Sequence, residues 1–188
     1  MLETLTQWEL SFLHFLQDCA TETGDVIWTA ITSFGEAGIF WIVLSLILML
    51  IPKTRKAGFT MGLALLIGVI VGNGILKNVI ARARPYDADP SLIHRLAWGE
   101  MSTDFSFPSG HTLASFEAAT GLYLHHKKWG IAALMLAFLV CISRLFLLVH
   151  YPTDVVAGAT LGILFAIVSA KAVDILWKKW EAHKRLGT

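Results

Sequence analysis

Three short stretches of this sequence combine cations, histidines and a carboxylate in a way that suits the chemistry of a phosphate group. They are Lys77–Pro85 (KNVIARARP), Phe107–His111 (FPSGH) and Ser143–Asp154 (SRLFLLVHYPTD). Phosphoryl transfer is catalysed mainly by positioning and by neutralising the charge on the phosphate oxygens. Two histidines can divide the remaining tasks, one attacking as a neutral base and one donating a proton to the leaving oxygen.

The first stretch carries two cations that we expect to bind an anion together. Lys77 and Arg84 are two helical turns apart, so on one helix both would project from the same face, with Lys77 about 10 Å deeper. Pro85 disfavours a helical Arg84 and is predicted to end the helix there. Arg82 points away from the other two and is equally well explained as a basic flank.

The second stretch is predicted to open a helix. Ser109 is placed to act as its N-cap, and Gly110 would let a ligand approach the free backbone N–H groups at the positive helix end. Such a terminus is a ready anion site. His111 would then lie in the first turn, beside the bound anion.

The third stretch places charged groups in or beside strongly apolar sequence. Arg144 within such a run costs about 2.5 to 3.5 kcal/mol, so a function is expected for it. His150 lies about 9 Å above it along a helix. Pro152 interrupts any helix between His150 and Asp154, so these two should flank a turn. A carboxylate hydrogen-bonded to one ring nitrogen would leave the other free to attack.

The rest of the chain is predicted to position these groups in a membrane. Hydrophobic residues make up 55% of the sequence and charged residues 15%. Apolar runs near the length that crosses a bilayer occur at about 35–52, 57–81, 111–126, 130–149 and 154–177. We therefore predict an all-α, polytopic transmembrane helical bundle that forms one domain over residues 1–188. The glycine pairs Gly68/Gly72 and Gly158/Gly162 predict close helix packing.

The N-terminal segment, residues 2–20, fits either a further span or an amphipathic helix in the interface. It starts with a glutamate instead of a basic cluster, so it is not predicted to be a cleavable signal. The connections at 52–56 and 125–128 and the tail at 177–185 are basic, and the positive-inside rule places them in the cytoplasm. The three polar stretches then fall on the outer face. Trp129, Trp177 and Trp180 are interpreted as interfacial anchors.

Several classes of partner are not indicated. The net charge is +1, which does not suggest nucleic acid. Cys19 and Cys141 show no metal-ligand spacing or disulfide framework and are interpreted as small apolar fillers. There is no carboxylate cluster suited to magnesium, so we expect neither a metal nor a cofactor.

Glu117 and the segment 86–107 can each be interpreted in two ways. Glu117 lies within a predicted span, where we expect an interior hydrogen bond or ion pair, with a direct catalytic role as the less favoured alternative. The segment 86–107 would either recognise a headgroup or cover the site. Its polar and aromatic residues are Asp87, Asp89, His94, Arg95, Trp98, Glu100 and Asp104.

Taken together, the three stretches resemble the signature motifs of the type 2 phosphatidic acid phosphatase (PAP2) superfamily, which includes membrane lipid phosphatases and vanadium haloperoxidases. The resemblance holds at every signature position between residues 77 and 154. It implies a six-helix core, a phosphohistidine formed on His150, an orienting role for Asp154 and a general acid in His111. It also implies a set of ligands for the phosphoryl oxygens: Lys77, Arg84, Ser109, Gly110 and Arg144.

The resemblance further implies a lipid phosphate substrate, handled on the outer face of the cell membrane without a cofactor. Short bacterial members include undecaprenyl pyrophosphate phosphatases, which we favour, and phosphatidylglycerophosphate or phosphatidate phosphatases. A lipid-phosphate binding protein or a small transporter is the alternative from another class. It is disfavoured because the charged motifs gather near one face and every catalytic position is present.

Overall fold

The computed structural model describes residues 2–97 and 103–186 of the 188-residue chain, with side chains over 6–97 and 103–183. Helices build the described part. In chain order they are α1 (Leu2–Asp18), α2 (Glu22–Thr32), α3 (Ile39–Leu50), α4 (Arg55–Ile67), α5 (Lys77–Ile80), α6 (Pro85–Ala88), α7 (Gly110–His125), α8 (Lys127–Phe146) and α9 (Pro152–Leu186). A 3-10 helix (Ser33–Gly38) joins α2 to α3, and a π-helix (Gly68–Leu76) joins α4 to α5. The predicted all-helical fold is confirmed.

Helix α7 forms the centre of the bundle and packs against α4, α8 and α9. Much of its buried face consists of small residues, which let helix backbones approach closely: Thr112, Ser115, Ala118, Ala119, Thr120 and Gly121. Two glycines of α9 face it. A Cβ added to Gly158 would lie 2.9 Å from the Ser109 carbonyl oxygen, and one added to Gly162 would lie 2.8 Å from that of Leu113. The predicted close packing at this glycine pair is confirmed.

Four helical segments of the described chain are long and apolar enough to cross a bilayer, namely Glu22–Leu50, Arg55–Ala88, Lys127–Phe146 and Pro152–His183. Helix α7, with 16 residues, and α1, with 17, are shorter. The chain is therefore a multi-pass membrane protein, as predicted.

The first of these segments begins earlier than the predicted 35–52. Thr21 caps α2 by accepting a hydrogen bond from the Gly24 N–H at 3.1 Å. The helix was missed because polar residues interrupt its apolar pattern. The segment also bends at Glu36 and Ala37, where Ala37 adopts a left-handed conformation with φ 45°. This bend brings residues 35–38 to the wall of the candidate site described below.

Two predicted helices end sooner than expected. Helix α5 stops at Ile80, because Ala81 is left-handed (φ 47°) and Arg84 is extended (φ −73°, ψ 158°). Helix α8 stops at Phe146, and Leu148 has φ 57°. The prediction of a continuous helix through Lys77 and Arg84 was wrong, as was that of a helix from Arg144 to residue 149. After each of these helix ends the chain turns, and a polar residue that follows, Arg84 or His150, lies at the cavity.

Helix α1 lies against the end of the bundle that carries the α8–α9 turn. Leu13 and Leu16 are buried with Leu92, Leu148 and Tyr151. The outward side is apolar too, since Trp8 and Phe15 are 58% and 61% exposed. Of the two free cysteines, Cys141 is buried and fits the prediction of an apolar filler, whereas Cys19 is exposed and does not.

Candidate active site

A cavity of about 410 Å³ opens where the Ser33–Gly38 segment, the π-helix, the start of α7 and the α8–α9 turn meet. Its volume lies in the range of small-molecule sites. Five of the predicted site residues line it: Lys77, Arg84, Gly110, His111 and His150. The other three, Ser109, Arg144 and Asp154, are buried and do not line the cavity.

Lys77 and Arg84 converge on a single carboxylate, that of Asp104. The Lys77 ammonium contacts Oδ2, and Arg84 Nη2 lies 2.5 Å from Oδ1. Arg84 Nε also donates to the Asp104 carbonyl oxygen at 2.9 Å, and its Nη1 donates to the Val149 carbonyl oxygen at 2.8 Å. The two cations thus meet at one anion, although the extended backbone at Arg84, and not a shared helix face, brings them together.

Asp104 is held in its charged form. Partial burial acts to raise its pKa, but hydrogen bonds and positive charge from Lys77 and Arg84 outweigh that effect and keep the pKa below its ordinary value. The side chain is still 52% exposed. Asp104 is therefore an accessible anion in the place where the sequence predicted a bound one.

His150 is linked to Asp154 through a serine that the sequence analysis missed. The distance from His150 Nδ1 to Asp154 Oδ2 is 3.7 Å, too long for the predicted direct hydrogen bond. The Ser106 hydroxyl donates to Asp154 Oδ2 at 2.5 Å and lies 3.3 Å from His150 Nδ1. An Nδ1–H tautomer can donate to this hydroxyl, which leaves Nε2 with a free lone pair. Ser106 was missed because no spacing rule connects it to residue 150.

The electrostatic surroundings keep the His150 imidazole neutral. Burial, aided by the positive charges of Arg144 and Arg84, lowers its pKa to about 3 against the opposing effect of Asp154. A neutral imidazole with an unprotonated nitrogen is the form that attacks an electrophile.

His111 lies in the first turn of α7, on the wall of the cavity. Its Nε2 is 3.8 Å from Glu36 Oε2 and finds no hydrogen-bond partner among the described residues. Gly35 packs against the ring, since a Cβ there would lie 2.8 Å from His111 Cδ2. The imidazole is thus available to a ligand. Burial and the positive charge of Arg144 lower its pKa to about 4. The nearby Glu36 carboxylate acts in the opposite direction, as the negative charge of a bound phosphate would.

The start of α7 matches the predicted helix terminus with one difference. Ser109 precedes the helix, but its side chain makes no capping hydrogen bond, and its Oγ accepts one from the Thr112 hydroxyl at 3.1 Å. Gly110 lines the cavity, as a close backbone approach requires.

Arg144 supports the site from behind. Its Nη1 donates to the Thr32 hydroxyl at 2.6 Å, and its Nε has no hydrogen-bond partner among the described residues. The guanidinium is buried and is close enough to affect the charge states of His150 and Glu36. In this structure it contributes positive charge without lining the cavity.

Glu117 also lines the cavity, six residues along α7 from His111. The expected interior hydrogen bond or ion pair is not found within residues 6–97 and 103–183, and Oε1 is buried without a partner. The carboxylate instead lies against Gly68, where a Cβ would be 2.1 Å from Oε1. The π-helical glycine is what gives this side chain its space.

A second ionic cluster lies behind the Asp154 carboxylate. Arg82 Nη1 lies 2.6 Å from Asp154 Oδ1, and Arg82 Nη2 lies 2.6 Å from Glu9 Oε2. Arg82 had no definite predicted role, and Glu9 was not singled out within the segment 2–20. No local pattern connects residues 9, 82 and 154, so the cluster was not predictable from spacing.

The 86–107 segment contributes Asp104 and Ser106 to the site and contacts the N-terminal helices. His14 Nε2 is 2.9 Å from Asp89 Oδ2, and Arg95 forms a two-point ion pair with Asp25. Trp98 and Glu100, named above as candidates, lie outside the described residues. Within the described ranges no group of three His, Cys, Asp or Glu side chains is placed to hold a metal ion.

The fold and the site together define a multi-pass helical membrane protein with a cationic cavity lined by two histidines. Residues 53–178 match the PAP2 superfamily, and the chain belongs to that superfamily. The motif resemblance noted in the sequence is thereby confirmed.

Two relatives of known name are similar over 70% of the chain. One is the undecaprenyl-diphosphatase of Sulfolobus acidocaldarius, 34% identical over 133 residues. The other is the bacitracin transport permease protein BcrC of Bacillus licheniformis, 35% identical over 135 residues. The matches cover 62% and 64% of these relatives, which is less than two thirds of their lengths.

A solved structure is similar over most of the chain. The transmembrane PAP2-type phosphatidylglycerolphosphate phosphatase of Bacillus subtilis has a TM-score of 0.72 and 27% identity, and the likeness covers 91% of this chain and 86% of that one. The bundle described above is therefore the PAP2 membrane fold.

Proposed function

We propose that this protein is an integral membrane lipid phosphatase that hydrolyses a phosphate or diphosphate bond through a phosphohistidine intermediate. The observation that carries the proposal is the neutral, buried His150 on the wall of a cavity that also presents His111 and the cations Lys77 and Arg84. Membership of the superfamily supports it.

The proposed reaction has two steps. His150 Nε2 attacks phosphorus while the bond to the leaving oxygen breaks, and protonated His111 donates its proton to that oxygen. Water then attacks the phosphohistidine, His111 takes up the water's proton, and the phosphorus–nitrogen bond breaks to release phosphate. Lys77, Arg84 and the Gly110 N–H stabilise the phosphoryl oxygens. The Ser109 N–H donates instead to the Asp154 carbonyl oxygen, at 3.2 Å.

The remaining predicted residues act from outside the cavity wall. Asp154, through Ser106, orients the His150 ring and stabilises the positive charge that develops on it. Arg144 adds positive charge behind the site. The bound phosphate takes the place of the Asp104 carboxylate between Lys77 and Arg84.

The substrate that we favour is undecaprenyl diphosphate, which yields undecaprenyl phosphate and phosphate. The similarity to a protein named undecaprenyl-diphosphatase supports this choice. Phosphatidylglycerophosphate is the second candidate, supported by the structural similarity to a phosphatidylglycerolphosphate phosphatase over 91% of this chain. The basic connections at the opposite end support an active site on the extracytoplasmic face and a cytoplasmic C-terminus.

The experiment is to measure phosphate release by the detergent-purified protein in the presence of EDTA. Undecaprenyl diphosphate, phosphatidylglycerophosphate and phosphatidate are compared, and the relative kcat/KM values identify the substrate. We expect His150→Ala to lower kcat by at least about 1,000-fold, because the nucleophile is lost. If none of the lipids is cleaved, or if the variant equals wild type, the assignment fails and lipid-phosphate binding or transport becomes the better explanation.

A further inference from the structure

Glu9, on the N-terminal helix, is a buried carboxylate that the proposed reaction does not use. It is fully inaccessible to solvent, although α1 presents Trp8 and Phe15 to the outside. Oε2 lies 2.6 Å from Arg82 Nη2. Oε1 accepts hydrogen bonds from the Thr153 N–H at 2.9 Å and from the Thr153 hydroxyl at 2.6 Å. Both oxygens are thus occupied by groups on other elements.

These partners lead directly to the His150 site. Arg82 Nη1 donates to Asp154 Oδ1 at 2.6 Å and to the Thr153 hydroxyl at 2.8 Å. The guanidinium carbon also lies 3.7 Å from the centre of the Tyr151 ring. One arginine therefore bridges two buried carboxylates, Glu9 and Asp154.

The bridge determines which way the Asp154 carboxylate faces. Because Oδ1 is bound by Arg82, Oδ2 is directed to the Tyr151 N–H at 3.0 Å and to the Ser106 hydroxyl at 2.5 Å, on the His150 side. Glu9 also keeps a negative charge on the far side of Arg82. Without the Glu9 charge, the positive charge of Arg82 would act on Asp154 only. Asp154 would then stabilise a positive charge on His150 less well.

From this geometry we infer that Glu9 is a positioning residue for the phosphohistidine reaction, acting through Arg82 and Thr153 on Asp154. The inference rests on the proposed function. It gives α1 a role in the site, since its docking completes the support of the proposed catalytic histidine.

The test compares Glu9→Gln with wild type by steady-state kinetics on the cleaved lipid. We expect kcat to fall about tenfold or more, the size of a lost hydrogen bond to a charged group, with KM changed less than about twofold. The matched control is Asp89→Asn, which removes the negative charge that pairs with His14 of α1 and leaves the contacts of Arg82 unchanged. The control should keep the wild-type kcat.

A double-mutant cycle separates positioning from simple stabilisation of the fold. If Glu9 acts mainly through Arg82, adding Glu9→Gln to Arg82→Gln should lower kcat much less than Glu9→Gln lowers it in the wild type. Fully multiplicative losses, or an unchanged kcat in Glu9→Gln, would overturn the inference. If the Glu9→Gln variant does not fold, Arg82→Lys is tested in its place, because lysine keeps the positive charge but cannot bridge two carboxylates. A wild-type kcat in Arg82→Lys would overturn the inference. An inactive wild type would instead reject the proposed function itself.

Discussion

The Asp104 carboxylate contacts both Lys77 and Arg84, with 2.5 Å between Oδ1 and Arg84 Nη2, so the two cations on the cavity wall are paired with a residue of the chain itself. In the proposed reaction a phosphate must take this position. Asp104 therefore competes with the substrate for the same charges, and its half-exposed side chain can turn outward to give way.

Replacing Asp104 with asparagine should strengthen substrate binding. The substitution keeps the size of the side chain but removes the competing charge, so we expect KM to fall about two- to tenfold. This range follows from the small free energy that a half-exposed ion pair contributes. Inorganic phosphate should inhibit the variant at correspondingly lower concentrations. Steady-state kinetics with and without added phosphate measures both effects.

The matched control is Asp87→Asn, which removes an exposed carboxylate from the same segment. It should leave KM unchanged. A higher KM in Asp104→Asn would mean that the carboxylate holds the two cations in place for the substrate, and would contradict competition.

The effect of Asp104→Asn should not vary between pH 5 and pH 8. The pKa of Asp104 is held below its usual value near 3.8, so the carboxylate stays ionised throughout this range. Only as the pH falls through that lowered pKa would protonation remove the competing charge from wild type. The ratio of wild-type to variant KM, measured at several pH values, should therefore be flat. A ratio that rises steadily from pH 5 to pH 8 would show that Asp104 titrates there.

Ser106 offers a separate test of the link between His150 and Asp154. Ser106→Ala removes the hydroxyl that joins them, so we expect kcat to fall about tenfold or more while KM stays close to wild type. Ser169→Ala is the control, because Ser169 is also buried in the bundle but its hydroxyl has no partner among the described residues. Equal kcat values for the two variants would rule out a role for the Ser106 hydroxyl.

The sequence predicted the class of fold and the cations and histidines of the cavity wall, because these depend on local patterns. Apolar runs indicate helices in a bilayer, and Lys77, Arg84, His111 and His150 can be recognised by their motifs. The route by which Lys77 and Arg84 meet could not be predicted, since it depends on a left-handed residue at Ala81.

Contacts between segments that are distant in the sequence could not be predicted either. Ser106 meets residues 150 and 154, and Glu9 meets residues 82 and 153, only after the bundle has formed. Glu117 was expected to be paired because an isolated buried carboxylate is costly. In the structure the π-helix and Gly68 give it space without a partner among the described residues.

The orientation in the membrane can be measured with single cysteines. Cys19 and Cys141 are replaced first, and a cysteine is introduced either at Asp87, beside the site, or at Lys128, in a basic connection; both positions are exposed. The positive-inside rule predicts that a membrane-impermeant maleimide labels position 87, but not 128, in intact cells. Labelling of 128 alone would place the site on the cytoplasmic face. Permeabilised cells, in which both positions should react, provide the control.

Substitutions at Gly68 and Glu117 should have coupled effects on the free energy of unfolding. An alanine Cβ at position 68 would lie 2.1 Å from Glu117 Oε1, so the carboxylate or the π-helix must shift. We expect Gly68→Ala to destabilise the protein by about 1 to 3 kcal/mol, as overpacking in a close-packed interior does. Thermal unfolding in detergent measures the loss.

The control for this pair is Gly74→Ala in the same π-helix, where the nearest atom to a new Cβ is the Val69 carbonyl oxygen at 3.4 Å. This variant should lose little or no stability. Glu117→Ala should rescue Gly68→Ala, because the shorter side chain frees the space that the new methyl needs. If Gly68→Ala unfolds at the same temperature as Gly74→Ala, or if Glu117→Ala gives no rescue, then the contact between Gly68 and the Glu117 carboxylate does not limit the packing of α7 against the π-helix.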